Sequence, residues 1–202
     1  MSQAKKILIL KKNIDISNNN IIKQSSSEQQ LPPGLKYIEN FITVEEEQTL
    51  LNEINKMPWD NTLKRLTQHY GYKYPYKSKN KLEPTIPIPD FCLEIKERLE
   101  KEFDRTFDQL IINQYEPGQG ISAHTDHVKL FGDTIISLSL GSPCIMNFAH
   151  GGNIIDIPLA RRSLAILQND SRYKWTHSIV GRKSDNGIPR SIRISMTFRQ
   201  KI

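Results

Sequence analysis

The 202-residue sequence has only two cysteines, Cys92 and Cys144. Two thiols cannot build the disulfide framework of a small secreted domain or a zinc site of four thiolates. Cys92 falls in a helical pattern and Cys144 in an apolar strand, so both read as buried thiols. No apolar run approaches the ~18 residues of a membrane span. Ile7 to Leu10, between Lys5-Lys6 and Lys11, is too short an apolar core for a signal peptide. No internal repeat is present. These absences predict a soluble, intracellular monomer without a membrane partner.

The apolar fraction is low, at 37%, partly because residues 1 to 30 are rich in Asn, Lys, Ser and Gln. That segment is too polar to order itself and is expected to be a tail, with at most a short strand at Ile7–Leu10. A chain of this length then leaves one domain, residues 31–202, with a real core. The formal net charge of +6 suits a polyanionic partner and equally suits an excess of surface lysine.

Folding proper starts near Leu31-Pro-Pro-Gly34. Thr43-Val-Glu-Glu46 is a capping box. The helix behind it carries Leu50, Leu51, Ile54 and Met57 on one face and stops at Pro58. Tyr70, Tyr72, Tyr74 and Tyr76 alternate along a strand that Pro75 marks as an edge or a bulge. Asp90 caps a second helix with an apolar stripe of Cys92, Ile95, Leu99 and Phe103. From residue 107 the pattern changes to short strands, at 107–115, 121–126, 134–140, 144–149, 153–158, 163–168, 174–180 and 190–199. The predicted class is mainly β (α+β): a jelly roll, or double-stranded β-helix, with N-terminal helices packed on one side.

Chemistry concentrates between Asn113 and Asp126. Ile111, Asn113 and Tyr115 share one strand face, and Pro117, Gly118 and Gly120 force a turn. In the next extended piece a period of two puts His124 and Asp126 on the same side. With one distant His they would form the two-His-one-carboxylate facial triad of non-haem Fe(II) oxygenases. His69, His127, His150 and His177 are the candidates for that third position. Of these, His127 alternates to the opposite face from His124, and His150 sits at an exposed turn. His177 shares a strand face with Trp175.

The last strand has an apolar face of Ile192, Ile194, Met196 and Phe198. Its other face, Arg193, Ser195, Thr197 and Arg199, is either solvated or an anion site. Six residues span about 20 Å, and two Arg leaning inward by roughly 6 Å each leave about 8 Å. Such a gap suits a short dicarboxylate held by bidentate Arg.

The ordered set of short motifs resembles the AlkB family of Fe(II)/2-oxoglutarate dioxygenases. It comprises Asn113-x-Tyr115-x-x-Gly118, His124-x-Asp126, Ser137-Leu-Ser-Leu-Gly141, Ser171-Arg172 with His177 five residues on, and Arg193-x-x-x-x-x-Arg199. The resemblance implies Fe(II) ligands His124, Asp126 and His177. It implies 2-oxoglutarate contacts from Asn113, Tyr115, Arg193 and Arg199, with O2 as co-substrate. Within the family the chain is most similar to the tRNA wobble-uridine hydroxylase branch. The shared phrases are Pro32-Pro-Gly-Leu35, His69-Tyr-Gly-Tyr72, Asn113-Gln-Tyr-Glu-Pro-Gly-Gln-Gly120, Arg161-Arg-Ser-Leu164 and Ser171-Arg-Tyr-x-Trp-Thr-His177. Animal members of that branch also carry an RNA-recognition module and a methyltransferase domain, for which 202 residues leave no room. Some lesion-repair members place an acidic residue two beyond the metal Asp, where this chain has Val128.

The implied activity is hydroxylation of a modified wobble uridine of tRNA. Residues 31–106 would then supply helices and a substrate lid, and 107–200 the catalytic jelly roll. The alternative is oxidative demethylation of alkylated DNA or RNA bases. Protein hydroxylation and a catalytically dead nucleic-acid-binding module are the remaining readings. Arg65, Tyr70, Tyr72, Tyr74 and Tyr76, interleaved with Lys73, Lys77, Lys79 and Lys81, could stack an unpaired base and track phosphates. A Tyr-faced edge strand packed on the helices would show the same pattern. Arg161, Arg162 and Arg172 are further candidate substrate contacts.

Overall fold

A computed structural model describes residues 30–74 and 81–202. The polar N-terminal segment with Ile7–Leu10, and Tyr76, Lys77 and Lys79, lie outside the described residues. In chain order the elements are β1 (Leu35–Ile38), α1 (Val44–Lys56), β2 (Leu66–Tyr70), β3 (Tyr72–Lys73), β4 (Glu83–Pro84), α2 (Asp90–Phe103), β5 (Gln109–Tyr115), β6 (Ile121–His124), β7 (Phe131–Gly141), β8 (Cys144–His150), β9 (Asn153–Leu159), β10 (Leu164–Leu167), α3 (Asn169–Tyr173), β11 (Thr176–Ile179), β12 (Ser184–Asp185), β13 (Ile188–Pro189) and β14 (Arg193–Lys201).

Two antiparallel sheets face each other. The larger runs β1-β10-β7-β14-β5-β2 and the smaller runs β6-β11-β8-β9. The chain passes repeatedly from one sheet to the other, as a jelly roll requires. Strand alternation then sorts side chains into two interiors. On the outer face of the large sheet, Leu110, Ile112, Ile136, Leu138, Ile194, Met196 and Phe198 pack under Leu50, Ile54, Cys92, Ile95 and Leu99 of the two long helices. Between the sheets, Ile135, Met146, Phe148, Leu167 and Ile179 form the second apolar cluster. The helices lie on one side, in agreement with their amphipathic stripes.

α1 begins at the capping box: Glu46 N–H donates to Thr43 Oγ1 at 3.1 Å, and Thr43 N–H donates to Glu46 Oε2 at 2.6 Å. Asp90 is not the cap of α2. Pro89 holds that position without a side-chain bond and Asp90 is the first helical residue, where its charge still complements the helix dipole. β1, the short helix α3 and the β12–β13 hairpin are not visible in the periodicity. Each is too short to show a repeat, and α3 falls between two strands that read as nearly continuous.

Arg161 and Arg162 turn away from the predicted substrate role. Both pair with Glu47, which is 1% exposed on α1. Arg161 Nη2 donates to Glu47 Oε2 at 2.7 Å, and Gly141 N–H donates to Oε1 at 2.9 Å. The carboxylate therefore ties α1 to the β9–β10 turn and to the end of β7. Burial alone would raise its pKa. The arginines and the Gly141 amide outweigh that and hold it below the usual range, so its stabilisation is present at neutral pH and disappears as pH falls through the folded value. Glu47→Ala removes the buried acceptor shared by the Gly141 N–H, Arg161 and Arg162 and should destabilise the fold by about 1–2 kcal/mol. Urea unfolding checks this: the midpoint should fall with an unchanged slope.

Candidate active site

Strand β14 is the spine of the site. It pairs on one side with β5 and on the other with β7, so cross-strand rows line the inner face: Tyr115, Arg193 and Gly141, then Asn113, Ser195 and Ser139, then Ile111, Thr197 and Ser137. The polar face of this strand is buried between the sheets, with Arg193 at 3%, Ser195 at 5% and Thr197 at 9% exposure. The solvated reading of that face is thereby excluded. The hydroxyls satisfy one another: Ser137 and Ser195 Oγ lie 2.9 Å apart, and Ser139 Oγ accepts from Arg193 Nη2 at 2.9 Å.

His124 and His177 come from the opposite sheet. They are direct cross-strand partners on β6 and β11, with ring centroids 4.3 Å apart. The His124 Nδ1 position lies 2.8 Å from the Ser122 carbonyl. A proton held there leaves Nε2 as the free lone pair, the arrangement a metal-ligating imidazole needs. Asp126 lies past the end of β6 rather than on it, so strand alternation is not what aims it. Arg172 does that work. Its guanidinium, 1% exposed, donates to the carbonyls of Asp126 at 2.8 Å, Phe131 at 3.0 Å and Gly132 at 3.0 Å. It is thus a positioning residue beneath the site and not a substrate contact.

Arg199 completes the constellation. Its Nη2 is 2.7 Å from Asp126 Oδ1, and its Nη1 donates to Gln109 Oε1 at 3.1 Å. Asp126 Oδ2 is left facing His177 Nε2 at 4.0 Å. Burial raises the Asp126 pKa, but Arg199, His177, His124 and Arg172 outweigh it and bring it down to about 2. Burial lowers His177 to about 4. At neutral pH the site therefore offers an ionised carboxylate and an uncharged His177 imidazole, the protonation states metal ligation requires.

These three side chains could hold a divalent iron on one face. Among the described residues no three His, Cys, Asp or Glu side chains are already drawn tightly enough to enclose an ion. Cis ligands at bonds of ~2.1 Å lie ~3 Å apart, against the 4.0 Å between His177 and Asp126. Rotamer adjustment of about 1 Å closes that difference.

All seven residues expected to hold metal or co-substrate line one narrow inner cavity of about 50 Å³. Arg193 supplies the fit to an anion: its Nε and Nη1 are buried without a partner, and its guanidinium lies 5.6 Å from the Tyr115 ring. Two unpaired cationic donors beside Asn113 and Tyr115 are a carboxylate cradle. Ser137 and Ser139 belong to this cradle, and the sequence reading gives them no role. Their signal is the alternation of β7, in which Ile136, Leu138 and Leu140 all face the helix side.

The inner cavity opens into an outer one of about 550 Å³ lined by Lys64, Arg65, Tyr74, His127 and Phe131 among others. Arg65 and Tyr74 therefore line the outer cavity. Arg65 Nε also donates to Asn113 Oδ1 at 2.9 Å. Tyr70 is not there. It is 1% exposed in the helix-side core, its hydroxyl donating to Gln68. Tyr72 packs against the inner apolar cluster with Lys201 Nζ 5.1 Å from its ring. The expected single Tyr face fails at Gly71, which has φ +71°. A Cβ there would meet the Asp108 carbonyl oxygen at 1.9 Å, so the chain turns and the two tyrosines separate.

The chain belongs to the 2OG-Fe(II) oxygenase superfamily, whose family model matches residues 55–199. By class it is an Fe(II)- and 2-oxoglutarate-dependent dioxygenase, with O2 as co-substrate. Within that class it is an AlkB-family member similar to ALKBH8. It is 44% identical over 169 residues to the mouse "tRNA (carboxymethyluridine(34)-5-O)-methyltransferase ALKBH8", covering 77% of this chain and 25% of that protein. The Xenopus tropicalis counterpart is 42% identical over 168 residues, covering 77% and 26%. The chain thus spans about a quarter of the length of these relatives. An uncharacterized protein L905 of Acanthamoeba polyphaga mimivirus is 38% identical, covering 84% of this chain and 85% of that one. The solved structure of OsALKBH1 shares the fold, with a TM-score of 0.66 at 16% identity, covering 85% of this chain and all of that one. No helix among the described residues is long and apolar enough to cross a membrane.

The depressed pKa of His177 has a measurable consequence. An unfolded His titrates near 6.5 and the folded one at about 4, so the unfolded chain binds more protons between those values. Stability of the metal-free protein should fall as pH drops from about 6.5 to about 4. His69, also lowered by burial to about 4, adds to the same window. Thermal unfolding across that range should show a shallower decline in His177→Gln than in the parent.

Proposed function

We propose that residues 31–202 form the catalytic unit of a nucleic-acid dioxygenase that hydroxylates a modified wobble uridine of tRNA. The observation that carries the co-substrate assignment is the Arg193 guanidinium, buried with two donors unpaired in the lining of the inner cavity. Arg193 binds the far carboxylate of 2-oxoglutarate, assisted by Asn113 and Tyr115. His124, Asp126 and His177 hold the iron. Arg199 keeps Asp126 ionised and oriented, and the Ser122 carbonyl holds the His124 tautomer. Ile135, Met146, Leu167 and Ile179 wall the inner cavity and keep water from the reacting centre. When bound, Fe(II) with 2-oxoglutarate and O2 supplies the oxidising chemistry, giving succinate, CO2 and one oxygen atom inserted into a substrate C–H bond.

The substrate assignment rests on the outer cavity and the relatives. A space of about 550 Å³ lined by Tyr74, Lys64 and Arg65 among others suits an unpaired base stacked on an aromatic ring with its phosphate near cations. Proteins at 42 and 44% identity are named for a tRNA carboxymethyluridine at position 34. Val128, 45% exposed near Asp126, gives no carboxylate with which to read a methylated base.

Arg193→Ala should raise the 2-oxoglutarate requirement well over tenfold with folding intact, a cost of ~2–5 kcal/mol in charge-assisted binding. An unchanged requirement would assign the far carboxylate to another cation. For the substrate, tRNA bearing a carboxymethyl-type wobble uridine ester competes with methylated single-stranded DNA, and nucleosides are read by mass spectrometry. Hydroxylated uridine is expected, and Asp126→Ala should abolish both it and succinate formation. Demethylated DNA beside untouched tRNA would move the enzyme to base repair.

A further inference from the structure

A second cavity, of about 520 Å³, adjoins the catalytic mouth along β6. The two share Lys64, Arg65 and residues 120–123, so they form one continuous surface with β6 as its ridge. Of the residues lining it, the proposed reaction uses only the rim cations Lys64 and Arg65.

Part of its wall is main chain, where residues 118–120 and 179–181 run so close that no side chain fits at Gly120 or Gly181. A Cβ at Gly120 would meet the Ile179 carbonyl oxygen at 2.1 Å, and one at Gly181 would meet the Gly118 carbonyl oxygen at 2.8 Å. Ser122 and Ser178 add hydroxyl-bearing residues to the lining. Cations ring it. Lys64 and Arg65 line it directly, and Lys183 lies beside Gly118 on the next turn. Lys64 and Lys183 are exposed and have no ion-pair partner among the described residues. The neighbouring Arg182 and Arg190 are already committed to buried Asp185, and that cluster anchors the hairpin without adding a second strong anion site. Glu116, engaged with Gln114, is the opposing carboxylate of the turn. The local balance is therefore positive.

We propose that this cavity binds a backbone phosphodiester of the nucleic-acid strand, one or two nucleotides away from the base presented to the catalytic cavity, with Lys64 and Lys183 as its cations. The inference rests on the nucleic-acid reading of the active site. A phosphodiester carries no base identity, so the contact is independent of sequence. It would set where along a strand the target nucleotide stops, since the phosphate is held at a fixed distance across β6. The same chemistry could be met by a free phosphate ion or by a polynucleotide. Only the polynucleotide spans both cavities and couples phosphate binding to the catalytic mouth.

The test uses the whole chain and an unmodified uridine-containing single-stranded RNA 12-mer, so that it reads binding and does not depend on which base is hydroxylated. Affinity is measured by fluorescence anisotropy over a salt series for the parent, for Lys64→Glu with Lys183→Glu, and for a control of equal charge change at exposed Lys36 and Lys101. The slope of log affinity against log salt should flatten by about 0.7 for each phosphate that the variant no longer neutralises, and affinity at ~0.1 M salt should drop at least tenfold. The control should keep the parent's slope. RNA-independent succinate formation by the parent checks the dioxygenase reading separately, and its absence would count against that reading instead. Equal slopes in the parent and the Lys64/Lys183 variant would overturn the proposal. So would parent–RNA binding that millimolar inorganic phosphate displaces as readily as excess RNA does, since that describes a site for the free ion.

Discussion

A row of positive charge runs inside the β sandwich, and the surrounding elements are arranged to hold it. Arg193 and Arg199 stand on the inner face of β14, one at each end of a short hydroxyl ladder. A buried guanidinium is costly unless it meets a carboxylate. At one end the protein supplies that carboxylate itself, as Asp126. At the other, two donors of Arg193 have no protein partner, which is the chemistry that recognises a dicarboxylate. One strand thus orients the aspartate proposed to hold the metal and carries the arginine proposed to bind the co-substrate.

Such a strand has to be held still from both sides. Its even residues are sealed by the two long helices through Ile194, Met196 and Phe198. Its neighbour β7 is fixed at its end by the Glu47 carboxylate, which accepts from Gly141 N–H across to α1. Beneath the site, the Arg172 guanidinium gathers three carbonyls of the segment from Asp126 to Gly132. Both of these buried charges are engaged by protein groups and lie outside the inner cavity. Their role is to keep a two-sheet site at a fixed spacing, which a reaction on a C–H bond demands.

The surface around the site divides by function in the same way. The inner cavity is small and walled by apolar and charged groups. Outside it, Lys64 and Arg65 line two larger cavities, one containing His124 and the other bordered by residues 118–120 and 178–181. A single loop between α1 and β2 therefore borders both cavities.

The class of fold, the two amphipathic helices and most strand positions were legible in the residue pattern, and the seven expected metal and co-substrate residues, which lie among those lining the inner cavity, through the resemblance of the motifs. They were legible because these residues sit in regular elements, where a period of 2.0 or 3.6 fixes the face, or in an ordered set of motifs. Only tertiary structure decided the rest. Arg161, Arg162 and Arg172 look alike in sequence to substrate-binding arginines, and their partners, Glu47 and the 126–132 carbonyls, are remote along the chain. The tyrosine alternation from Tyr70 onward is broken by one glycine whose backbone has to approach Asp108. Asp126 reads as part of a strand it does not occupy, and its aim comes from Arg172 and Arg199. In each case a long-range contact overrides a local pattern, because a buried charge takes the partner the fold brings to it, and periodicity carries no information about that partner.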